Sequence, residues 1–278
     1  MNRRIGLALS GGGARCFAQI GVLLALEEAG YTVSAIAANS SAAIIAAVYA
    51  TVADARDLHR IFRETDLVKL LDAGGVSGLL GHDGIRELLA EHAAPSFEEL
   101  RIPLVVPTVD IQHAELFVFS SGELAAPVCA SNAFPGLFVP VEHQGRFLMD
   151  GGIINNFPVD LIRTITTDKV LAVDVRSPLD DDLGLGGDDS PDSLLQRLGQ
   201  LFSREDSTPV DLVIQAYKIT QGKLMDVTMA LHPPDVLLVP ELPADLQVQS
   251  FNRLSEAIEI GRASAEAAIA AGRFAALG

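Results

Sequence analysis

An α/β fold with a mostly parallel central sheet is what this 278-residue chain predicts, and three observations carry the prediction. An apolar run at 5–9 feeds a glycine turn and then a helical pattern over 14–29. A second apolar run at 33–38 passes straight into another helical pattern, from Ser40 to about Val52. Hydrophobic residues make up 49% of the sequence with Trp absent, so the chain can fill a large aliphatic core. Two strand-turn-helix units in succession argue parallel strands with helices laid over them.

Each element follows in turn. Residues 5–9 form the first strand; Arg3 and Arg4 before them imitate the start of a signal peptide, but the apolar stretch is too short for a secretory core. Ile20, Leu23, Leu24 and Ala29 keep helical spacing, and Gly30 stops that helix. The stretch 55–92 is helical, interrupted by Gly74, Gly75, Gly78 and Gly81, and 55–95 is a candidate mobile cap. Strands are expected at 104–109 and 116–120, a helix at 124–133, and strands at 147–149 and 170–175. Asn155 to Asp160 is expected to start a helix. Residues 178–192 are acidic and glycine-rich, a flexible loop without calcium-ligand spacing. Helices at 209–231 and 250–277 flank a strand at 236–239, the last helix packed on the sheet. No repeat or linker divides the chain, so residues 1–278 form one domain.

The charge balance excludes some partners. Twenty Lys and Arg against 36 Asp and Glu give −16, a surface that repels nucleic acid and disfavours docking on anionic lipid. Any membrane contact should be apolar or brief. No window holds some eighteen apolar residues, so no transmembrane span is expected. Cys16 and Cys129 fit neither a metal spacing nor a disulfide framework, which points to a reducing cytoplasm, with at most peripheral membrane contact.

Three short segments carry the chemistry. Ser10-Gly11-Gly12-Gly13-Ala14-Arg15 places bare backbone between a strand and a helix, where successive N–H groups can converge on a phosphate or a tetrahedral oxyanion. A dinucleotide fingerprint would want glycine at Cys16 and an acid after the second strand; a P-loop would want Gly-Lys-Ser/Thr. Ala38-Asn39-Ser40-Ser41-Ala42 sits where a strand turns into a helix, the setting of an exposed nucleophile, although Ala38 and Ala42 stand where Gly is usual. Two extra methyl groups there cost about 1–3 kcal/mol if the backbone cannot relax. Asp150 ends a strand, and Gly151 and Gly152 let the chain turn away from it. None of His59, His82, His92, His113, His143 and His232 lies in a recognisable triad context. The plainer readings are a helix-capping Ser40, a turn Asp150 and a surface Arg15.

The three segments, in this order, resemble the patatin-like phospholipase family. Gly11-Gly12-Gly13-Ala14-Arg15 matches the family's glycine loop, Ala43 to Ala50 is similar to its helix after the nucleophile, and Asp150-Gly151-Gly152 with Asn156-Phe157-Pro158 resembles its catalytic aspartate segment. The bridge from Ala130 to Val141 is similar too. The resemblance implies a three-layer α/β/α sandwich with Ser40 as nucleophile and Asp150 as base. It further implies that Gly12 and Gly13, with Gly11 and the Ser41 N–H, form an oxyanion hole, and that Arg15 braces the loop or adds positive potential. The implied reaction is hydrolysis of lipid carboxylic esters, phospholipid or lysophospholipid, through an acyl-enzyme, with no cofactor and no metal. Two other readings stay open: a catalytically impaired scaffold, for which Ala38 and Ala42 speak, and a nucleotide-binding protein using the glycine loop.

Overall fold

The computed structural model describes residues 3–71, 79–176 and 209–277. Its strands are β1 (Arg3–Leu9), β2 (Tyr31–Ala38), β3 (Leu104–Asp110), β4 (Glu115–Phe119), β5 (Val141–His143), β6 (Arg146–Asp150), β7 (Lys169–Val173) and β8 (Val236–Leu238). Its helices are α1 (Phe17–Glu28), α2 (Ser41–Val52), α3 (Ala55–Glu64), α4 (Asp83–His92), α5 (Ala125–Ser131), α6 (Pro209–Leu231) and α7 (Leu254–Ala270). One sheet joins all the strands in the order β5-β6-β3-β2-β1-β7-β8, with β4 also paired to β3.

The parallel part runs from β3 to β8 and obeys the pattern read from the sequence. Ile5, Leu7, Leu9, Ile36, Leu171 and Val173 point into the larger core, under α1, α2, α5 and α7. Ala8, Ala35, Ala37 and Ala172 point the other way, into a thinner layer with Phe157, Val159, Ile162 and Met225 of α6. Small side chains on one face let that layer approach closely, while large ones on the other fill the space beneath a helical roof. A register shift after Ile5 skips Ser34, which keeps both Val33 and Ile36 in the larger core.

The β3, β4, β5 and β6 end is antiparallel, so the strand that bears Asp150 lies outside the parallel part of the sheet. Between β5 and β6 lie Gln144 and Gly145, with φ of 51° and 77°. Two successive left-handed residues make the tight hairpin turn that matches strand twist, so β6 must return antiparallel. The three-residue β5 has no hydrophobic alternation and is a strand only because β6 pairs with it. Asp150 therefore ends an antiparallel strand within the sheet, opposite Thr108 of β3.

Other boundaries moved for local reasons. The first helix opens as a tight turn over Gly13–Cys16 before α1 begins. Residues 155–160 are turns rather than a helix start, followed by a short 3-10 segment, Leu161–Thr164. The final helix splits into Phe251–Arg253, α7 and Arg273–Leu277, with Gly272 at φ 70° ending α7. In the candidate cap, α3 and α4 bury Leu58, Ile61, Phe62, Ile85, Leu88 and Leu89 in the main core. What lies against the Asp150 turn is α6. Gly74, Gly75, Gly78 and the acidic stretch 178–192 lie outside the described residues. Among the described residues no helix is long and apolar enough to cross a membrane.

Candidate active site

Ser40 sits between the last residue of β2 and the first of α2 with φ 56° and ψ −137°. A non-glycine residue held there is strained by about 1–3 kcal/mol and persists only where its surroundings impose it. Those surroundings are visible. The Ser131 hydroxyl accepts the Ser40 N–H at 2.9 Å, and Asn132 Nδ2 donates to the Ser40 carbonyl at 3.0 Å. The end of α5 thus brackets the strained residue on both sides. Ala38 and Ala42 are fully buried, and the turn forms with both methyl groups present.

Asp150 is brought to this turn by β6 and is buried, with 2% of its surface exposed. Its Oδ1 accepts from Asn39 Nδ2 at 2.8 Å and from the Gly152 N–H at 2.7 Å, and the Ser40 side chain beside it also favours the charged carboxylate. Burial pushes the carboxyl up to about 6, against the opposing effect of Gly152, Asn39 and Ser40. A free aspartate near 3.9 would be a weaker base. Gly151 packs beside the Pro107 carbonyl. At Gly152 a side chain would strike Asp150 Oδ1, Gln221 Nε2 and Tyr217 Oη, so glycine is what allows the approach of α6.

The glycine loop lies on the other side of Ser40. A Cβ on Gly11 would collide with Asn156 Oδ1 and come within 2.9 Å of Ser40 Cβ, which puts the loop in contact with the elbow. Gly13 has φ 58° and abuts the Val248 carbonyl, so a side chain there is barred twice over. Gly11 departs from the expected oxyanion set: its N–H donates to the Asn156 carbonyl at 3.1 Å. It is spent on anchoring the loop, which leaves Gly12, Gly13 and Ser41 as the candidate donors. Arg15 is 2% exposed, and its guanidinium donates to the carbonyls of Val175 at 2.7 Å, Leu246 at 2.8 Å and Pro243 at 3.2 Å. It clamps the loop to two distant segments instead of facing solvent.

Several residues outside the three segments complete the arrangement. Asn39 Oδ1 accepts from the Ser131 hydroxyl at 2.9 Å, while Nδ2 donates to Asp150 and, at 3.0 Å, to Asn156 Oδ1. Asn39 and Asn156 so join elbow, glycine loop and aspartate in one buried network. From α6, Gln221 Nε2 donates to Tyr217 Oη at 3.0 Å and to the Gly152 carbonyl at 3.3 Å. A polar residue in a turn that wants small ones was the available signal for Asn39. Nothing local marks Ser131, Tyr217 or Gln221. The histidines with resolved ring contacts are engaged elsewhere: His82 with the Val139 carbonyl, His113 with Asp110, His143 against Phe119. Burial pushes the Cys16 thiol well above its usual range and that of Cys129 up to about 12.

The chain has relatives among known proteins. Two NTE family proteins of Mycobacterium tuberculosis, both called uncharacterized, are similar in sequence to this chain. One is 33% identical over 177 residues, 62% of this chain and 49% of its own; the other is 28% identical over 289 residues, 97% of this chain and 47% of its own. Lysophospholipase nte1 of Emericella nidulans is 28% identical over 271 residues, 94% of this chain and 18% of its own. The chain thus spans about half the length, or less, of these curated relatives. VipD from Legionella pneumophila shares the fold, with a TM-score of 0.60 at 15% identity over 96% of this chain and 67% of that one. A family model described as patatin-like phospholipase matches residues 7–162, which take in the glycine loop, the elbow and the Asp-Gly-Gly turn. More than half of the chain lies within that match, and the chain belongs to the patatin-like phospholipase family.

Proposed function

We propose that this chain is a serine acyl hydrolase acting on carboxylic esters of lipids, with Ser40 as nucleophile and Asp150 as base. The observation that carries the reading is the strained Ser40 held beside a buried carboxylate whose affinity for protons is raised toward neutrality. A serine hydroxyl is a poor nucleophile until a base takes its proton, and a carboxyl near 6 is charged yet basic at neutral pH. Asp150 accepts the Ser40 proton as Oγ attacks the acyl carbonyl. The Gly12, Gly13 and Ser41 N–H groups face the developing oxyanion, each strong donor worth roughly 2.7–4 kcal/mol. Asp150 returns the proton to the departing oxygen, and the acyl-enzyme is hydrolysed by water activated through the same carboxylate. No step calls for a metal.

Family membership and the lysophospholipase name of one relative support a phospholipid or lysophospholipid as the ester. The test is labelling with a fluorophosphonate and mapping of the modified peptide. Labelling at Ser40 is expected, abolished in Ser40→Ala and slowed roughly 10²- to 10⁴-fold in Asp150→Asn. Folded protein that stays unlabelled would sink the reading and favour an inactive scaffold.

A further inference from the structure

The arrangement of α6 over the Asp150 turn carries an inference that rests on the Ser40–Asp150 reading. We propose that Tyr217 is the leaving-group contact of the site. Its hydroxyl donates a hydrogen bond to the ester oxygen that departs as the acyl chain passes to Ser40, which suits the site to esters of unactivated alcohols.

Tyr217 and Gln221 are four residues apart on α6 and so share one face of the helix. Gln221 Nε2 donates to Tyr217 Oη at 3.0 Å, which occupies the phenol as an acceptor and turns its own hydrogen away from Gln221. Edge-on contact with Phe134, at 4.9 Å between ring centres, fixes the ring. A Cβ added to Gly152 would lie 2.9 Å from Tyr217 Oη and 2.9 Å from Asp150 Oδ1, so the phenol oxygen lies near the carboxylate on the Gly152 side. Burial, followed by the charge of Asp150, pushes the phenol well above its usual range, so it stays a donor through neutral and alkaline pH.

The reaction brings the leaving oxygen to the same carboxylate. As the Ser40 Oγ–carbon bond forms, the serine proton moves to Asp150. As the bond from the acyl carbon to the leaving oxygen breaks, the same proton passes from Asp150 to that oxygen. The leaving oxygen must therefore come within hydrogen-bond reach of the Asp150 carboxyl, and the Tyr217 hydroxyl lies close to that carboxyl. Tyr217 keeps its proton throughout and steadies the charge that builds on the oxygen before the proton arrives.

The test compares Tyr217→Phe with the unmodified protein on two esters of one fatty acid, a p-nitrophenyl ester and a glyceryl ester. The p-nitrophenolate leaves unaided, whereas a glyceryl oxygen needs help. We expect kcat/KM to fall roughly 10- to 100-fold on the glyceryl ester and to stay within about twofold on the p-nitrophenyl ester. The rate of fluorophosphonate labelling at Ser40 and the pH midpoint near 6 should be unchanged. Gln221→Met, which keeps the phenol and removes the group that orients it, should give a smaller loss with the same selectivity. Equal losses on both esters, no loss on either, or a shifted pH midpoint would overturn the proposal. Failure of the unmodified protein to label at Ser40 would overturn the reading beneath it.

Discussion

Asp150 is kept almost dry, yet it accepts hydrogen bonds from Asn39 and Gly152 with Ser40 beside it, and the balance between these opposing effects leaves its carboxyl near 6. Two consequences are measurable. Reactivity of Ser40 toward a fluorophosphonate should rise as pH increases through about 6 and then level off, because the base form is the ionised one. Stability should move the opposite way. The folded carboxyl holds its proton more tightly than the unfolded one, so stability from this group falls as pH rises from about 4 to 6, and the full penalty remains above that. Asp150→Asn removes the charge and can keep the bonds from Asn39 and Gly152. It should therefore be more stable than the unmodified protein at pH 8 by about 1–3 kcal/mol, with no gain near pH 4, as read by thermal melting. A destabilised variant at pH 8 would mean that the carboxylate's bonds outweigh its desolvation.

Among the elements, α1 and α7 cross backbone to backbone. A Cβ on Gly261 would collide with the Ala18 carbonyl, and one on Gly21 with the Ile258 carbonyl. Each helix gives up a side chain where the other's backbone passes. Since α1 carries the glycine loop at its start, that crossing sets where the loop's N–H groups lie. Gly261→Ala should lower stability by more than about 2 kcal/mol in urea denaturation, because a backbone carbonyl cannot move aside as a side chain can. Gly272→Ala makes an informative partner: its φ is 70° but nothing lies within 4 Å, so its cost should be only about 1 kcal/mol. Similar losses at the two positions would mean that the helices part readily and that close approach is not what the glycines provide.

At the scale of the whole molecule, the formal charge of −16 is expected to set the response to the charge of any lipid surface offered. Repulsion from anionic lipid is long-ranged at low salt and screened within about 8 Å at physiological ionic strength. Hydrolysis of a substrate dispersed in zwitterionic vesicles should therefore exceed that in anionic vesicles at 10 mM salt, and the gap should close by 300 mM. A preference for anionic vesicles that weakens with salt would reveal a local basic surface strong enough to override the net charge.

The sequence by itself determined the parallel half of the sheet, its covering helices and the three segments of the site, because each is written locally. Alternation of large and small residues in β1 assigns its faces, whereas the faces of β2 depend on the register shift at Ser34, and glycines mark where backbone must come close to something. It could not supply the direction of β6, since a strand's partner is chosen by the Gln144-Gly145 turn and by pairing with β3, far away in the chain. Nor could it find Ser131, Tyr217 and Gln221, whose roles arise from what folding brings beside them. The same holds for Gly11, whose N–H was expected at the oxyanion and is held by Asn156. Arg15 shows the division in one residue: its position in the loop was legible, while its burial against the carbonyls of Val175, Pro243 and Leu246 depended on segments more than 150 residues away. Local patterns fix elements because they act through neighbouring backbone; a buried polar network forms only when distant donors and acceptors are folded within reach of each other.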